Sequence, residues 1–188
     1  MTSLISLATR ITLLRLLLVP FFIGCLLYYQ PGREHLRWVA FSLFSAGVLT
    51  DWLDGLIARN FSQGSSIGRI LDPLADKLLL LSAFISCSVL ETLPQPLRIP
   101  PWVTILVISR DVMIVVGSCL IFLWTHRLEV KPSNLGKATT FLQMATILAV
   151  LLQLPLRTGL WNVAMAFTVA SGLGYLRYGM RLLSQPAS

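Results

Sequence analysis

Long apolar stretches dominate this chain, separated by short polar breaks that contain Gly or Pro. Six of the stretches approach the roughly 20 residues a helix needs to cross a hydrocarbon core. They fall at about 11–29, 37–58, 70–91, 101–125, 138–155 and 159–182. An N-terminal apolar run can also be a signal peptide, but Arg15 and Pro20 interrupt this one and no A-x-A site closes it, so it is read as a retained helix. The pattern predicts an all-α integral membrane bundle of six transmembrane helices in one domain, residues 1–188, because no long polar linker or change of composition divides it.

Composition agrees with a bilayer. Of the 188 residues 55% are hydrophobic and 12% charged, against about 25% charged in an ordinary soluble domain. The net charge of +7 does not mark a nucleic-acid protein, because the basic residues flank apolar spans and do not form a soluble face. Anionic lipid headgroups and phosphorylated substrates suit them better. Their distribution also sets an expected orientation, since Lys and Arg are enriched in cytoplasmic loops. Arg10, Arg15, Arg59, Arg69, Arg127, Lys131, Lys137, Arg177 and Arg181 fall on one side, against Arg33, Arg37, Arg98 and Arg157 on the other. Both termini and the 59–69 loop are thus expected in the cytoplasm. Cys25, Cys87 and Cys119 lie within spans without metal-ligand spacing and read as small packing residues.

The informative residues are those a lipid-embedded helix avoids. Of eight Asp and Glu, four fall in one window, Asp51, Asp54, Asp72 and Asp76. Each costs about 2.5–3.5 kcal/mol at a helix centre on insertion scales, less toward the ends. The spacings i, i+3 for Asp51 and Asp54 and i, i+4 for Asp72 and Asp76 put each pair on one helix face. The segment from Arg59 to Gly68 is polar and glycine-containing, a natural connection between antiparallel neighbours. Arg59, Arg69 and Lys77 offset part of the acidic charge, and hard divalent cations do so more fully, since Mg²⁺ pairs a few carboxylates with substrate phosphates. The structural alternative is a set of helix-end charges solvated by cytoplasmic water or held in salt bridges. Taken alone, Gly55, Ala58 and Gly68 read as packing residues.

Together, Asp51-x2-Asp54-Gly55-x2-Ala58-Arg59-x8-Gly68-x3-Asp72-x3-Asp76 resembles, without a departure, the signature of the CDP-alcohol phosphatidyltransferase family. The resemblance implies six transmembrane helices, a homodimer, and a cytoplasm-facing polar cavity for a CDP-linked lipid in a bacterial inner membrane. It also implies that Asp51, Asp54, Asp72 and Asp76 hold Mg²⁺ or Mn²⁺, with two ions expected, and that Asp76 is the general base. Gly55, Ala58 and Arg59, with Asp54 and Gly68, would line the site for the CDP moiety. The implied reaction is transfer of a phosphatidyl group from CDP-diacylglycerol to an alcohol, with release of CMP.

Outside that signature, Thr12-x2-Arg15-x4-Pro20 and Gly136-Lys137 with Thr140 and Gln143 are similar to phosphatidylglycerophosphate synthases, which accept glycerol 3-phosphate. Its phosphate requires cationic donors, and Arg110, Arg127, Lys131 and Lys137 cluster on the predicted cytoplasmic side. Arg110 leads, since it lies in an apolar run where a merely solvated arginine is costly. Its structural alternative is an ion pair, and Asp111 shares that ambiguity. Arg127, Lys131 and His126 also fit loop or interfacial positions. Ser109-Arg110-Asp111-Val112 is more similar to the CDP-dependent cardiolipin synthases, which would use phosphatidylglycerol, and Thr139 stands where the synthases of phosphatidylglycerophosphate commonly have a second lysine. Arg177, Tyr178 and Arg181 suit contact with either lipid.

Glycerol 3-phosphate is the expected acceptor, phosphatidylglycerol the next, and inositol phosphate or serine the third. A small cation transporter or channel would also place carboxylates in a membrane. It predicts acids spread along a conduction path, whereas these cluster at one face beside an Arg-Gly loop. A non-catalytic scaffold leaves the cluster unexplained.

Overall fold

The computed structural model describes the backbone at residues 7–60, 68–125 and 134–183, and side chains at 13–50, 77–117, 134–177 and 180. Six α-helices account for nearly all of it: α1 Leu7–Leu27, α2 Glu34–Asn60, α3 Gly68–Val89, α4 Pro101–Thr125, α5 Asn134–Leu151 and α6 Arg157–Leu183. The shortest has 18 residues and the longest 27. At 1.5 Å per residue they run about 27–40 Å, so all but α5 are as long as a hydrocarbon core about 30 Å thick. Among the described residues, Gln95–Gly117 is by length and composition able to cross a membrane, and Leu13–Leu27 and Lys77–Val89 are shorter apolar helices.

Local chemistry sets the helix ends. α2 begins after Gly32, whose φ of 102° belongs to the left-handed region glycine tolerates, and Glu34 in its first turn favours the positive end of the helix dipole. α4 opens on Pro101, a position where the missing N–H costs nothing. α5 closes in a Schellman arrangement: the Leu154 N–H donates to Ala149 O at 2.9 Å, the Gln153 N–H donates to Val150 O at 2.9 Å, and Gln153 takes a φ of 55° where glycine is usual. The fifth helix therefore occupies 134–151 and not the expected 138–155. The polar start at Asn134, Gly136 and Lys137 is helical, and the turn before Pro155 is not.

The chain forms two compact units, Met1–Ile99 with Ile147–Leu154, and Pro100–Thr146 with Pro155–Ser188. In the first, α1 packs against both α2 and α3, and α2 meets α3. Phe22, Leu26, Ala40, Phe44, Leu80, Ala83 and Phe84 are buried there, with the Phe22 and Phe44 rings 5.8 Å apart. In lipid such contacts stabilise through dispersion and close packing, since burial from hydrocarbon supplies little hydrophobic drive. One end of this unit carries a polar knot. The Tyr29 hydroxyl donates to Glu34 Oε1 at 2.7 Å, Glu34 Oε2 pairs with Arg37 Nε at 2.9 Å, and Arg37 Nη1 donates to Leu151 O at 3.3 Å. Near it, Arg98 Nε donates to Leu93 O at 2.7 Å, and Arg98 Nη2 donates to Glu91 O, fixing the turn after α3.

In the second unit α4 packs on α6. Small and hydroxylated residues mediate close approach: a Cβ at Gly172 would stand 3.0 Å from Met113 Cε. The single O–H of Thr139 on α5 has two carbonyl acceptors in reach, Leu135 O at 2.7 Å and, across on α6, Phe167 O at 3.1 Å. Gln143 Nε2 donates to Thr168 Oγ1 at 3.1 Å, and Thr168 in turn donates to Ala164 O at 2.8 Å. These buried threonine and glutamine groups thus find partners, as hydrocarbon surroundings demand. Ile105, Val112, Val115 and Val116 on α4, and Val163, Val169, Leu173 and Leu176 on α6, are exposed large apolar side chains that suit contact with lipid.

Candidate active site

The acidic pairs sit on the last turns of α2 and the first turns of α3, joined by a seven-residue connection, 61–67. Seven residues reach about 25 Å at most, too short to run back along a 22-residue helix of about 33 Å, so the two helices are antiparallel neighbours. Their register follows from Gly47: a Cβ there would run into Leu79 Cδ2, so Leu79 of α3 lies directly against Gly47 of α2. Seven residues on from Gly47 is Asp54, and seven back from Leu79 is Asp72. Four on is Asp51, and three back is Asp76. To within about one turn, the antiparallel register sets Asp54 level with Asp72 and Asp51 level with Asp76.

The backbone register brings four aspartates to matched heights on adjacent helices, and carboxylate oxygens are what hard divalent cations take. Their side chains, and those of Gly55, Ala58, Arg59 and Gly68, lie outside the described residues; the backbone of all eight positions is helical. Lys77, next in sequence to Asp76, is half-buried at the same end of α3.

Arg110 is 7% exposed in the middle of α4. Its Nη1 contacts Asp111 Oδ1 at 2.8 Å, its Nη2 donates to Ser171 Oγ at 3.2 Å, and its guanidinium carbon lies 5.9 Å from the Tyr175 ring centroid. The structural alternative foreseen for Arg110 is therefore realised with its own neighbour. Asp111 offsets the charge, and two α6 residues spaced i, i+4 complete the surroundings of the guanidinium. Nε of Arg110 is buried and has no hydrogen-bond partner among the described residues, so the fork retains a donor. Ser171 and Tyr175 carried no signal in the sequence, being ordinary residues on an apolar helix. Lys137 is exposed near the start of α5. Thr139, two residues along, bonds Phe167 O, and Arg110 bonds Ser171, one turn farther on the same α6. Arg127, Lys131 and His126 lie outside the described residues.

Sequence comparison gives the family. The chain is 35% identical over 182 residues to a probable phosphatidylglycerophosphate synthase of Mycobacterium tuberculosis (strain CDC 1551 / Oshkosh), covering 94% of this chain and 82% of that protein. It is 36% identical over 191 residues to a CDP-diacylglycerol--glycerol-3-phosphate 3-phosphatidyltransferase of Bacillus subtilis (strain 168), covering 90% and 93%. A cardiolipin synthase (CMP-forming) of Rattus norvegicus is 41% identical over 100 residues, 53% of this chain and 30% of that protein. A model of the CDP-alcohol phosphatidyltransferase family matches residues 5–173, a range that contains every helix but the end of α6. With that match over most of its length, its six-helix membrane bundle and its complete acidic signature, the chain belongs to the CDP-alcohol phosphatidyltransferase family.

Proposed function

We propose that this protein is a phosphatidylglycerophosphate synthase, transferring the phosphatidyl group of CDP-diacylglycerol to glycerol 3-phosphate and releasing CMP. The observation that carries the reading is the pair of matched acidic levels on α2 and α3, joined to the family match and to two relatives of that activity covered over most of their length. The family uses divalent metal, and two Mg²⁺ or Mn²⁺ ions held by Asp51, Asp54, Asp72 and Asp76 would neutralise the diphosphate and the leaving CMP. Asp54 and Gly55, with Ala58, Arg59 and Gly68, hold the CDP moiety, the small residues admitting it close to the backbone.

Asp76 accepts the proton of the attacking glycerol hydroxyl, whose oxygen forms a bond to the lipid-bearing phosphorus as the bond to CMP breaks. The acceptor's phosphate is recognised by Arg110 and Lys137, with Arg127 and Lys131 adding charge. Asp111, Ser171 and Tyr175 orient the Arg110 guanidinium for that task. The whole chain acts as one membrane domain, 1–188, with both termini and the acidic end on the cytoplasmic side of a bacterial inner membrane, as a homodimer among membrane lipids. The direct test is Asp76→Asn in purified protein. It should keep the wild-type melting temperature to within a few degrees and lose most CMP release, whereas near-normal release would remove Asp76 as the base.

Cardiolipin synthesis from phosphatidylglycerol is the second reading. It is favoured by the Ser109-Arg110-Asp111-Val112 sequence and by the 41% identity to the rat enzyme, which covers 53% of this chain.

A further inference from the structure

The first unit contains a buried cation that the proposed reaction does not use. Arg15 is 2% exposed, a charged side chain among fully buried ones that are otherwise mostly apolar. A buried guanidinium without anionic company costs several kcal/mol, so the position of the acids relative to it is informative.

The register of α1 and α2 fixes its height. The Phe22 and Phe44 rings are in contact, and the Tyr29 hydroxyl meets Glu34 farther along, so the two helices run antiparallel. Seven residues back from Phe22 is Arg15, and seven on from Phe44 is Asp51. Both steps cover about 10.5 Å in the same direction. Arg15 is therefore level, within about one turn, with Asp51 on α2 and, through the Gly47–Leu79 register, with Asp76 on α3. α1 packs on both of those helices.

The remaining acids of this unit are elsewhere. Glu34 is 17 residues from Asp51 along α2, about 25 Å away, and is engaged by Tyr29 and Arg37. Glu91 is beyond the far end of α3.

We propose that Arg15 is a positioning residue of the acidic site: it neutralises part of the four-aspartate charge and holds the nearest carboxylates in the arrangement that receives divalent metal. Before metal and donor arrive, the aspartates repel one another, and a guanidinium fixed inside the helix packing limits how far they spread. Its planar fork orients carboxylates in a way a lysine ammonium does not. The proposal rests on the metal-site reading above, and its test separates the two.

The experiment is thermal unfolding of the purified full chain in detergent, in EDTA and in saturating Mg²⁺, for wild type, Arg15→Gln, Arg15→Lys and Arg15→Gln/Asp51→Asn. The account expects Arg15→Gln to melt well below wild type in EDTA and Mg²⁺ to close most of that gap, because metal replaces the missing positive charge and binding stabilises the folded state by linkage. Arg15→Lys should recover part of the loss in EDTA. The double variant should melt above Arg15→Gln in EDTA, because it carries one fewer unbalanced carboxylate, and that comparison holds even if the single variant is recovered only in small amounts. A gap that Mg²⁺ leaves unchanged, or a double variant that melts lower than the single one, would overturn the role of Arg15 while the wild-type response to Mg²⁺ preserves the metal site. A wild-type melting temperature indifferent to both Mg²⁺ and EDTA would overturn the metal site and this inference together.

Discussion

Arg110→Met removes a guanidinium that is 7% exposed and leaves Asp111, 5% exposed, facing the place it occupied. The 2.8 Å contact to Asp111 and the 3.2 Å bond to Ser171 are both lost. Breaking a buried pair by removing one partner costs about 3–5 kcal/mol, most of it from the charge left behind. For a chain of this size each kcal/mol moves the melting temperature by about 2–4 °C, so Arg110→Met should melt about 6–20 °C below wild type.

Replacing both partners by apolar residues removes the abandoned charge, and such exchanges are often neutral or stabilising. Arg110→Met/Asp111→Leu should therefore return to within a few degrees of wild type. The two variants are compared by thermal unfolding in detergent, followed by CMP release at varied glycerol 3-phosphate. If Arg110 binds the acceptor's phosphate, the double variant is stable yet has a much raised KM for glycerol 3-phosphate, with its KM for CDP-diacylglycerol little changed. A double variant as unstable as the single one would refute the ion-pair reasoning. A stable double variant with the wild-type KM for glycerol 3-phosphate would refute the acceptor role.

Other parts of the structure give independent expectations. Gly47→Val should destabilise by about 1–3 kcal/mol through overpacking, since Leu79 already occupies the space of a Cβ. It should also reduce CMP release by spreading the acidic helices, and Leu79→Ala in the same chain should recover much of both. Gln143→Leu should cost about 0.5–1.5 kcal/mol by removing a buried hydrogen bond between α5 and α6, read from thermal melts beside wild type, because Thr168 keeps its bond to Ala164 O. Tyr29→Phe removes a hydrogen bond to a carboxylate and should lower stability by about 1.5–3 kcal/mol, read from the same melts, with turnover unchanged because the knot lies at the opposite end of the unit from the acidic pairs.

The helices were legible because the composition of each span is a direct consequence of bilayer chemistry, and all six expected spans match the observed helices to within four residues at each end. The fifth was displaced by a full turn. Asn134, Gly136 and Lys137 look like loop residues by polarity, but they are helical, one turn ahead of a Thr139 that is buried against α6. The end of that helix is set by Gln153 in a left-handed conformation, which no residue preference announces. The acidic signature was readable because i, i+3 and i, i+4 spacings are local properties of a helix. Its alignment across α2 and α3 was not, because it depends on Gly47 meeting Leu79, a tertiary contact. Arg110 was conspicuous as a charge in an apolar run, whereas Ser171 and Tyr175 became meaningful only when α6 packed on α4. Arg15 was visible as an interruption of the first span, and its relation to the aspartates required the register of three helices.

The central claim is the transfer reaction and its acceptor. Purified protein should be given CDP-diacylglycerol with Mg²⁺ or with EDTA, and offered glycerol 3-phosphate or phosphatidylglycerol in separate reactions, with CMP release followed and each lipid product identified. The account predicts Mg²⁺-dependent release of CMP with phosphatidylglycerophosphate as the product from glycerol 3-phosphate. Turnover confined to phosphatidylglycerol, with cardiolipin as the product, would contradict the acceptor, and absence of CMP release by folded protein with either acceptor would contradict the reaction proposed.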